Sequence, residues 1–266
     1  MYVIESAGLT DVGRWRKNNE DALFLDDHQQ LYIVADGMGG HQAGEVASGI
    51  VVETLWEYIK RFGDETAVEA AEDPDDSLSK EANRLLSGIY LANKSVYQTA
   101  QGREEYQGMG STVSSVYFTP NTLIAANVGD SPIYLVHDGS IEQLSVPHTV
   151  LAEQAALDPE GARQLGGEFK HMLTRAIGVE ESVKADISEI QCFKGDILVI
   201  GSDGLTETVA KEEIHAVVKK ERPEKACRTL VNMANERGGK DTVSYTHLTL
   251  PTTIPSCCSG GWAGGG

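Results

Sequence analysis

Residues 31–62 read LYIVADGMGGHQAGEVASGIVVETLWEYIKRF. The first six, Leu31 to Asp36, form a β-branched apolar run and predict a strand. From Gln42 to Phe62 the apolar residues recur at helical spacing, which predicts a helix. Between them lies a glycine-rich segment, Gly37 to Gly40 with Met38 inside it. The strand thus ends on a carboxylate and passes through a sharp turn into a helix. A charged carboxylate beside a buried strand costs several kcal/mol unless it is paired or coordinated. Three familiar glycine or acidic-loop devices do not fit. A P-loop needs a Lys-Ser/Thr pair after its glycines, and a dinucleotide fingerprint needs glycine where Gln42 stands. An EF-hand needs alternating acids around a fixed glycine, which no run supplies.

Moving outward, the same pattern returns. LVIGSD ends in Asp203-Gly204, and LIAANVGD ends in Asp130-Ser131. One such aspartate is an ordinary turn former. Three of them, with Glu20-Asp21 and with Asp241 following Gly238-Gly239, suggest carboxylates gathered at strand ends. Gathered carboxylates repel one another unless cations sit between them, and all-oxygen ligands select hard ions such as Mg²⁺ or Mn²⁺. Two such ions can bridge a water, lower its pKa and stabilise an in-line displacement at phosphorus. The glycines then serve to turn the backbone so that the Gly37 carbonyl reaches a metal.

The remaining chain supplies more strands, in residues 3–10, 22–25, 112–118, 123–129, 133–139, 185–191 and 196–203, and helices over 80–100, 211–220 and 223–237. His137-Asp138-Gly139 reads as a hairpin turn. Residues 150–170 read as a short helical insertion, and the acid-rich stretch 63–79 as a solvated linker. No Asp, Glu, Lys or Arg follows Asp241, while two of the four cysteines and five glycines fall in the last ten residues. Residues 245–266 are therefore expected to be a tail, foreign, frameshifted or disordered, and removable at Ser244.

Composition narrows the class. The 266 residues favour a single core, and 41% apolar with 23% charged residues is ordinary for a globular protein. A net charge of −18 argues against nucleic-acid binding. No run approaches the ~18 apolar residues of a membrane span, and the first residues lack the pattern of a secretory signal. Cys192, Cys227, Cys257 and Cys258 show no CxxC spacing, so neither zinc nor a disulfide framework is expected, and a reducing cytoplasm fits.

Seven blocks occur in an order that identifies a resemblance. GRWRKNNEDA (13–22), VADGMGGHQAGEVAS (34–48), MGST (109–112), NVGDS (127–131), LTRAIG (173–178), GDILVIGSDGLTE (195–207) and RGGKD (237–241) resemble the bacterial PP2C-like (PPM family) metal-dependent protein serine/threonine phosphatases. The resemblance implies an α+β fold, a four-layer α-β-β-α sandwich of two central antiparallel sheets flanked by helices, occupying residues 1–244. It implies that Asp21, Asp36, the Gly37 carbonyl, Asp203 and Asp241 hold two core Mn²⁺ or Mg²⁺ ions. Glu20 reaches a metal through water, Asp130 with Asp203 takes a third ion, and Arg16 grips the substrate phosphate. It also implies phosphorylated protein substrates, those of a cognate Ser/Thr kinase, and a monomeric enzyme with no nucleic-acid or membrane partner.

Departures from the pattern accompany it. Met38 stands where animal members carry a histidine proposed as general acid. Thr242 replaces an asparagine, Pro132 replaces an arginine, and the flap equivalent, 148–169, matches poorly. His148 matches a histidine whose role is structural. His41 is a candidate substrate contact beside a structural reading, and Arg16 has the alternative of a solvated surface base. The alternative functions are a catalytically impaired phosphatase-like binding scaffold, which would have shed metal aspartates, and a structural Ca²⁺-binding protein.

Overall fold

The computed structural model describes residues 4–39, 42–62, 75–120 and 122–250, the Glu168 side chain excepted. Two antiparallel sheets lie at its centre. To number strands along the chain, β1 (Glu5–Asp11) precedes β2 (Asp21–Asp26), β3 (Leu31–Met38), β4 (Gly110–Ser111), β5 (Val113–Phe118) and β6 (Leu123–Val128). Then follow β7 (Ile133–His137), β8 (Ser140–Gln143), β9 (Asp186–Ile190), β10 (Ile197–Gly201) and β11 (Val243–Thr249). One sheet has the order β2-β3-β5-β6-β9, with β4 pairing off β3, and the other β1-β11-β10-β7-β8.

Helices cover both outer faces. Leu31, Ile33 and Ala35 point outward from β3 against Val51, Leu55 and Ile59 of α1 (Ala43–Phe62) and Leu85 and Ile89 of α2 (Lys80–Gly102). Tyr32 and Val34 point inward, where they meet Leu198, Ile200 and Leu248 across the gap between the sheets. The outer face of the second sheet, with Val199, Val243 and Tyr245, packs on α6 (Lys211–Val218) and α7 (Pro223–Glu236). Three cores therefore separate four layers, α-β-β-α, as the resemblance implied. β3 is buried on both faces, which is why it reads as an unbroken apolar run instead of an alternating one. α2 starts on an N-cap, Ser79, whose hydroxyl accepts from the Ala82 amide. α7 starts on Pro223, which has no amide hydrogen to leave unpaired.

Smaller elements follow their sequence cues. Asp138 and Gly139 take φ of 45° and 81°, the two positive values of a type I′ turn between β7 and β8. The insertion after His148 contains α3 (Val150–Leu157), α4 (Pro159–Ala162) and a 3₁₀ turn at Gly167–Lys170. One more short helix, α5 (Asp203–Thr206), follows β10. Of the expected linker, residues 63–74 lie outside the described residues.

The expected tail is corrected by the structure. β11 carries the chain through Tyr245 to Thr249 between β1 and β10, with Tyr245 opposite Leu9 on one side and Gly201 on the other. Tyr245, Thr246, His247 and Leu248 are fully buried. His247 bonds the Tyr245 hydroxyl through Nδ1 at 3.2 Å and Thr249 Oγ1 through Nε2 at 2.9 Å, and burial pushes its pKa down to about 4. The absence of charge that suggested a foreign segment is what a central strand covered on both faces requires. The rest of the expected tail, 251–266, lies outside the described residues.

A chain ending at Ser244 should therefore give no cooperative thermal transition, because β1 loses the strand that joins it to the sheet and β10 loses one of its two partners. A chain ending at Leu250 should melt within about 4 °C of the full chain, the shift that 1 kcal/mol brings in a protein of this size. A cooperative melt of the shorter chain, by circular dichroism, would refute the assignment of β11.

Candidate metal centre

The carboxylates singled out in the sequence converge at one end of the two sheets. Asp21 opens β2 and lies directly opposite Asp36 in the β2–β3 register. Like charges opposed across an antiparallel pair destabilise it, so this pairing needs compensation. Asp203 follows β10 at the start of α5, Asp241 sits between α7 and β11, and Asp130 follows β6. Arg16, Glu20, Asp36, Gly37, Asp130, Asp203 and Asp241 line one cavity.

The backbone around each carboxylate is pinned. The Asp36 amide donates to Thr112 Oγ1 at 3.0 Å, and the Asp36 carbonyl accepts from the Thr112 amide at 2.8 Å and from Ser111 Oγ at 3.1 Å. Thr112 Oγ1 is itself bonded to Ser131 Oγ at 2.8 Å, which ties the MGST and NVGDS segments together beneath Asp36. The Glu20 carbonyl accepts from the Gly37 amide at 3.0 Å and from Ser48 Oγ of α1 at 2.7 Å. Two glycines allow the close approaches. A Cβ on Gly37 would lie 2.0 Å from the Gly44 carbonyl oxygen in the first turn of α1. A Cβ on Gly204 would lie 2.1 Å from the Thr242 carbonyl oxygen, so the Asp203 and Asp241 segments could not meet.

Side-chain contacts leave acceptors over. Thr242 Oγ1 donates to Asp21 Oδ1 at 2.8 Å, so a hydroxyl does the work at the position where the family pattern has an asparagine. Asp21 Oδ2 is buried with no hydrogen-bond partner. Arg16 spans Glu20 Oε2 at 3.0 Å through Nη1 and Asp241 Oδ2 at 2.6 Å through Nη2. Its guanidinium is thus paired with two of the carboxylates, although its side chain is 44% exposed. His41 and its neighbour Gly40 lie outside the described residues.

Two residues belong here that the sequence reading did not single out. His171 Nδ1 lies 3.0 Å from Glu207 Oε1 and 3.8 Å from Asp203 Oδ2. Donor atoms of Asp130, His171 and Asp203 all lie within 4.8 Å of one another. His171 stood in an unpatterned stretch and gave no signal. Glu207 was inside the DGLTE block, where only Asp203 was assigned a task. His148 keeps its expected structural role: Nδ1 accepts from the Gly129 amide at 3.1 Å, and Nε2 faces Asp186 Oδ2 at 3.1 Å. Burial lowers its pKa, consistent with this neutral tautomer. Arg175 bonds Asp186 Oδ1 at 3.0 Å and lies 3.7 Å from Glu153 of α3, joining the flap to β9.

The electrostatics state the problem the site must solve. Burial, followed by the charges of Asp21, Asp203, Asp241 and Asp130, holds Asp36 well above the usual carboxylate range. Burial, then Asp130, Glu207 and Asp241, pushes Asp203 up to about 7, and it shares a hydrogen bond with Asp36. Asp21, Glu20 and Asp130 are raised as well, each chiefly by burial. One guanidinium and one imidazole cannot neutralise so many carboxylates. The unpartnered Asp21 oxygen and the oxygen-rich donor set fit divalent cations of the Mg²⁺ or Mn²⁺ kind.

A raised carboxyl stabilises the fold below its unfolded pKa, about 3.9, and that contribution is lost as pH climbs through the folded value. For Asp203 the window runs from about 4 to about 7. In chelator, Asp203→Asn should therefore gain stability over the parent as pH rises from about 5 to about 8. The gain should reach on the order of 2 kcal/mol, discounted from the full shift because this side chain is a quarter exposed. Thermal melts of both proteins across that range measure it. A constant difference would show that the carboxylates do not crowd one another.

Known proteins resemble this chain in sequence and in fold. Residues 14–244 match the protein phosphatase 2C family. A putative protein phosphatase 2C-type of Streptococcus pyogenes is 32% identical, over 88% of this chain and 93% of its own. The serine/threonine phosphatase stp of Listeria welshimeri is 35% identical, over 88% and 91%. Among solved structures, the PPM Ser-Thr phosphatase MsPP of Mycobacterium smegmatis, in complex with cacodylate, superposes with a TM-score of 0.78 at 31% identity. The match covers 94% of this chain and all of that one. The catalytic domain of PstP in complex with two manganese ions gives a TM-score of 0.79 at 27% identity, over 94% and 100%. With a family match over residues 14–244 and relatives more than 30% identical along most of its length, the chain belongs to the protein phosphatase 2C family of protein serine/threonine phosphatases.

Proposed function

We propose that this protein hydrolyses phosphoserine and phosphothreonine on proteins with two Mn²⁺ or Mg²⁺ ions in the carboxylate cluster. The single observation that carries this reading is the convergence of Asp36, Asp203 and Asp241 on one cavity, with Asp21 directly opposite Asp36 and its Oδ2 buried and unpartnered. Asp21, Asp36, the Gly37 carbonyl, Asp203 and Asp241 would hold the two ions, with Glu20 reaching one through water. Asp130 and Asp203, with His171 beside them, would take a third. The ions, when bound, supply an activated water and charge stabilisation at phosphorus.

The chain's own residues do the rest. The Thr112 and Ser131 hydroxyls hold Asp36 in place from below, and Thr242 orients Asp21. Arg16 stands at the cavity mouth, where its two terminal nitrogens can turn from Glu20 and Asp241 to two phosphoryl oxygens. Met38 has no proton to give, so the leaving hydroxyl takes its proton from another group. Retention of all four core aspartates supports an active enzyme over a binding scaffold. Among the described residues no helix is long and apolar enough to cross a membrane. Cys192 and Cys227 are free and buried, and burial pushes both thiols up to about 12, which suits a reducing cytoplasm. We assign a monomer acting there on the substrates of a cognate Ser/Thr kinase.

Hydrolysis of a chromogenic aryl phosphate and of phosphothreonine peptides should require added Mn²⁺ or Mg²⁺. Asp36→Asn and Asp203→Asn should each abolish turnover and weaken metal binding in calorimetry, whereas Asp130→Ala should keep two ions and turn over more slowly. Full turnover in excess chelator would overturn the metal mechanism.

Arg16→Ala separates phosphate binding from metal holding. It should raise KM and cost on the order of 2–4 kcal/mol in kcat/KM, with metal affinity nearly unchanged. Arg16→Lys should recover only part of this, since an ammonium cannot span two oxygens. Steady-state kinetics at saturating Mn²⁺ beside metal titrations read both effects. A fall in metal affinity alone would make Arg16 a brace for Glu20 and Asp241.

A further inference from the structure

The cavity at the carboxylates is larger than a phosphoryl group and its cations need. Its volume is about 1190 Å³, above the range of about 300–1,000 Å³ that encloses a small ligand. From Arg16 and Asp36 it runs past Arg175 into a second arm, walled by α2 on one side and by residues 179–184 on the other. Ser87, Leu91 and Lys94 of α2 line this arm; their spacing of four and three residues puts them on one helix face. The opposite wall is held by Asn93, which is 1% exposed. Its Nδ2 donates to the Glu180 and Glu181 carbonyls at 3.1 and 3.0 Å, and its Oδ1 accepts from the Gly178 amide at 2.7 Å. The groove is thus formed before anything enters it, and a ligand need not order its walls.

Its lining is of two kinds. Leu91 and Val179 are large apolar residues left 43% and 52% exposed. Lys94 and Lys184 are exposed and form no ion pair with any described residue, in a protein of net charge −18. Glu180 and Glu181 also line the arm, so it is a place of mixed charge with two ammonium groups in no ion pair among the described residues. Apolar surface beside unpaired cations suits a polypeptide that carries an apolar and an acidic side chain.

We propose that this arm binds the substrate polypeptide next to its phosphorylated residue, an apolar side chain covering Leu91 and Val179 and a carboxylate meeting Lys94 and Lys184. The assignment rests on the phosphatase reading and names the class of sequence it prefers. None of these four residues touches the carboxylate cluster, so they select substrate without taking part in hydrolysis.

The test compares phosphothreonine peptides with Leu and Glu on either side of the phosphorylated residue, the same peptides with Ser and Lys there, and an aryl phosphate too small to enter the arm. Leu91→Ser and Lys94→Glu change exposed positions of α2. For the preferred Leu/Glu peptide, Lys94→Glu should lower kcat/KM about tenfold through KM, an effect that fades as salt is raised. It should improve the Lys peptide and leave the aryl phosphate unchanged, and Leu91→Ser should weaken only the Leu-bearing peptide. The proposal is overturned if both variants keep the parent's peptide preferences, or if aryl phosphate hydrolysis falls in step with peptide hydrolysis. A parent protein inactive on every substrate would instead strike the phosphatase reading. In that case fluorescence anisotropy of the labelled Leu/Glu phosphopeptide still judges the arm, where an unchanged affinity in Lys94→Glu would refute it.

Discussion

Mutual repulsion among carboxylates, gathered from strands and loops of both sheets, is the constraint around which the molecule is arranged. Asp21 and Asp36 face each other across one sheet, while Asp203 and Asp241 arrive from the end of the other. Burial raises each of the first three, and the charge of Asp241 raises all three further. A fold selected only for stability would place apolar or paired groups there. On the proposed reading the acids are tolerable because divalent cations would convert repulsion into coordination, and the same cations would supply the chemistry. Arg16 reaches two of the carboxylates from the rim, at the place where a phosphoryl group would compete for it.

The sandwich supplies the rigidity that this arrangement demands. β3 is covered by α1 and α2 outside and by the second sheet inside, so its end cannot retreat from the charge it carries. Hydroxyls do much of the fine placement. Ser111, Thr112 and Ser131 fix the Asp36 backbone, Ser48 fixes Glu20, and Thr242 fixes one oxygen of Asp21. Neutral donors of this kind position carboxylates without adding charge that would displace a cation. The long-range charge of the protein is negative, so approach of a phosphorylated substrate depends on local cations at the cavity. Arg16 lies at the chemistry, and Lys94 and Lys184 along the arm beyond it.

Much of the site was legible because its chemistry is written in local patterns. An apolar run that ends on Asp-Gly states both a strand and its charged end, and this is true of Asp36 and Asp203 without any partner. Gly37 was legible as part of a turn, and the structure adds that both it and Gly204 leave room for another backbone. His171 and Glu207 were not legible, because their meeting depends on how the flap returns to α5 and not on any spacing. The tail was misread at Tyr245 because freedom from charge has two meanings. It marks a foreign segment, or it marks a strand with neighbours on both edges and layers on both faces.

By itself the sequence determined the strands, the main helices, the Asp138-Gly139 hairpin and the set of acids at strand ends, since these follow from local periodicity and turn chemistry. Only the tertiary structure decided that β11 closes the second sheet, that Thr242 serves Asp21, and that His171 faces Asp130 and Asp203. It also decided that α2 and residues 179–184 enclose an arm beside the carboxylates. Each of these joins segments far apart in the chain, and such contacts are set by the packing of layers, which leaves no periodic trace in the residues that make them.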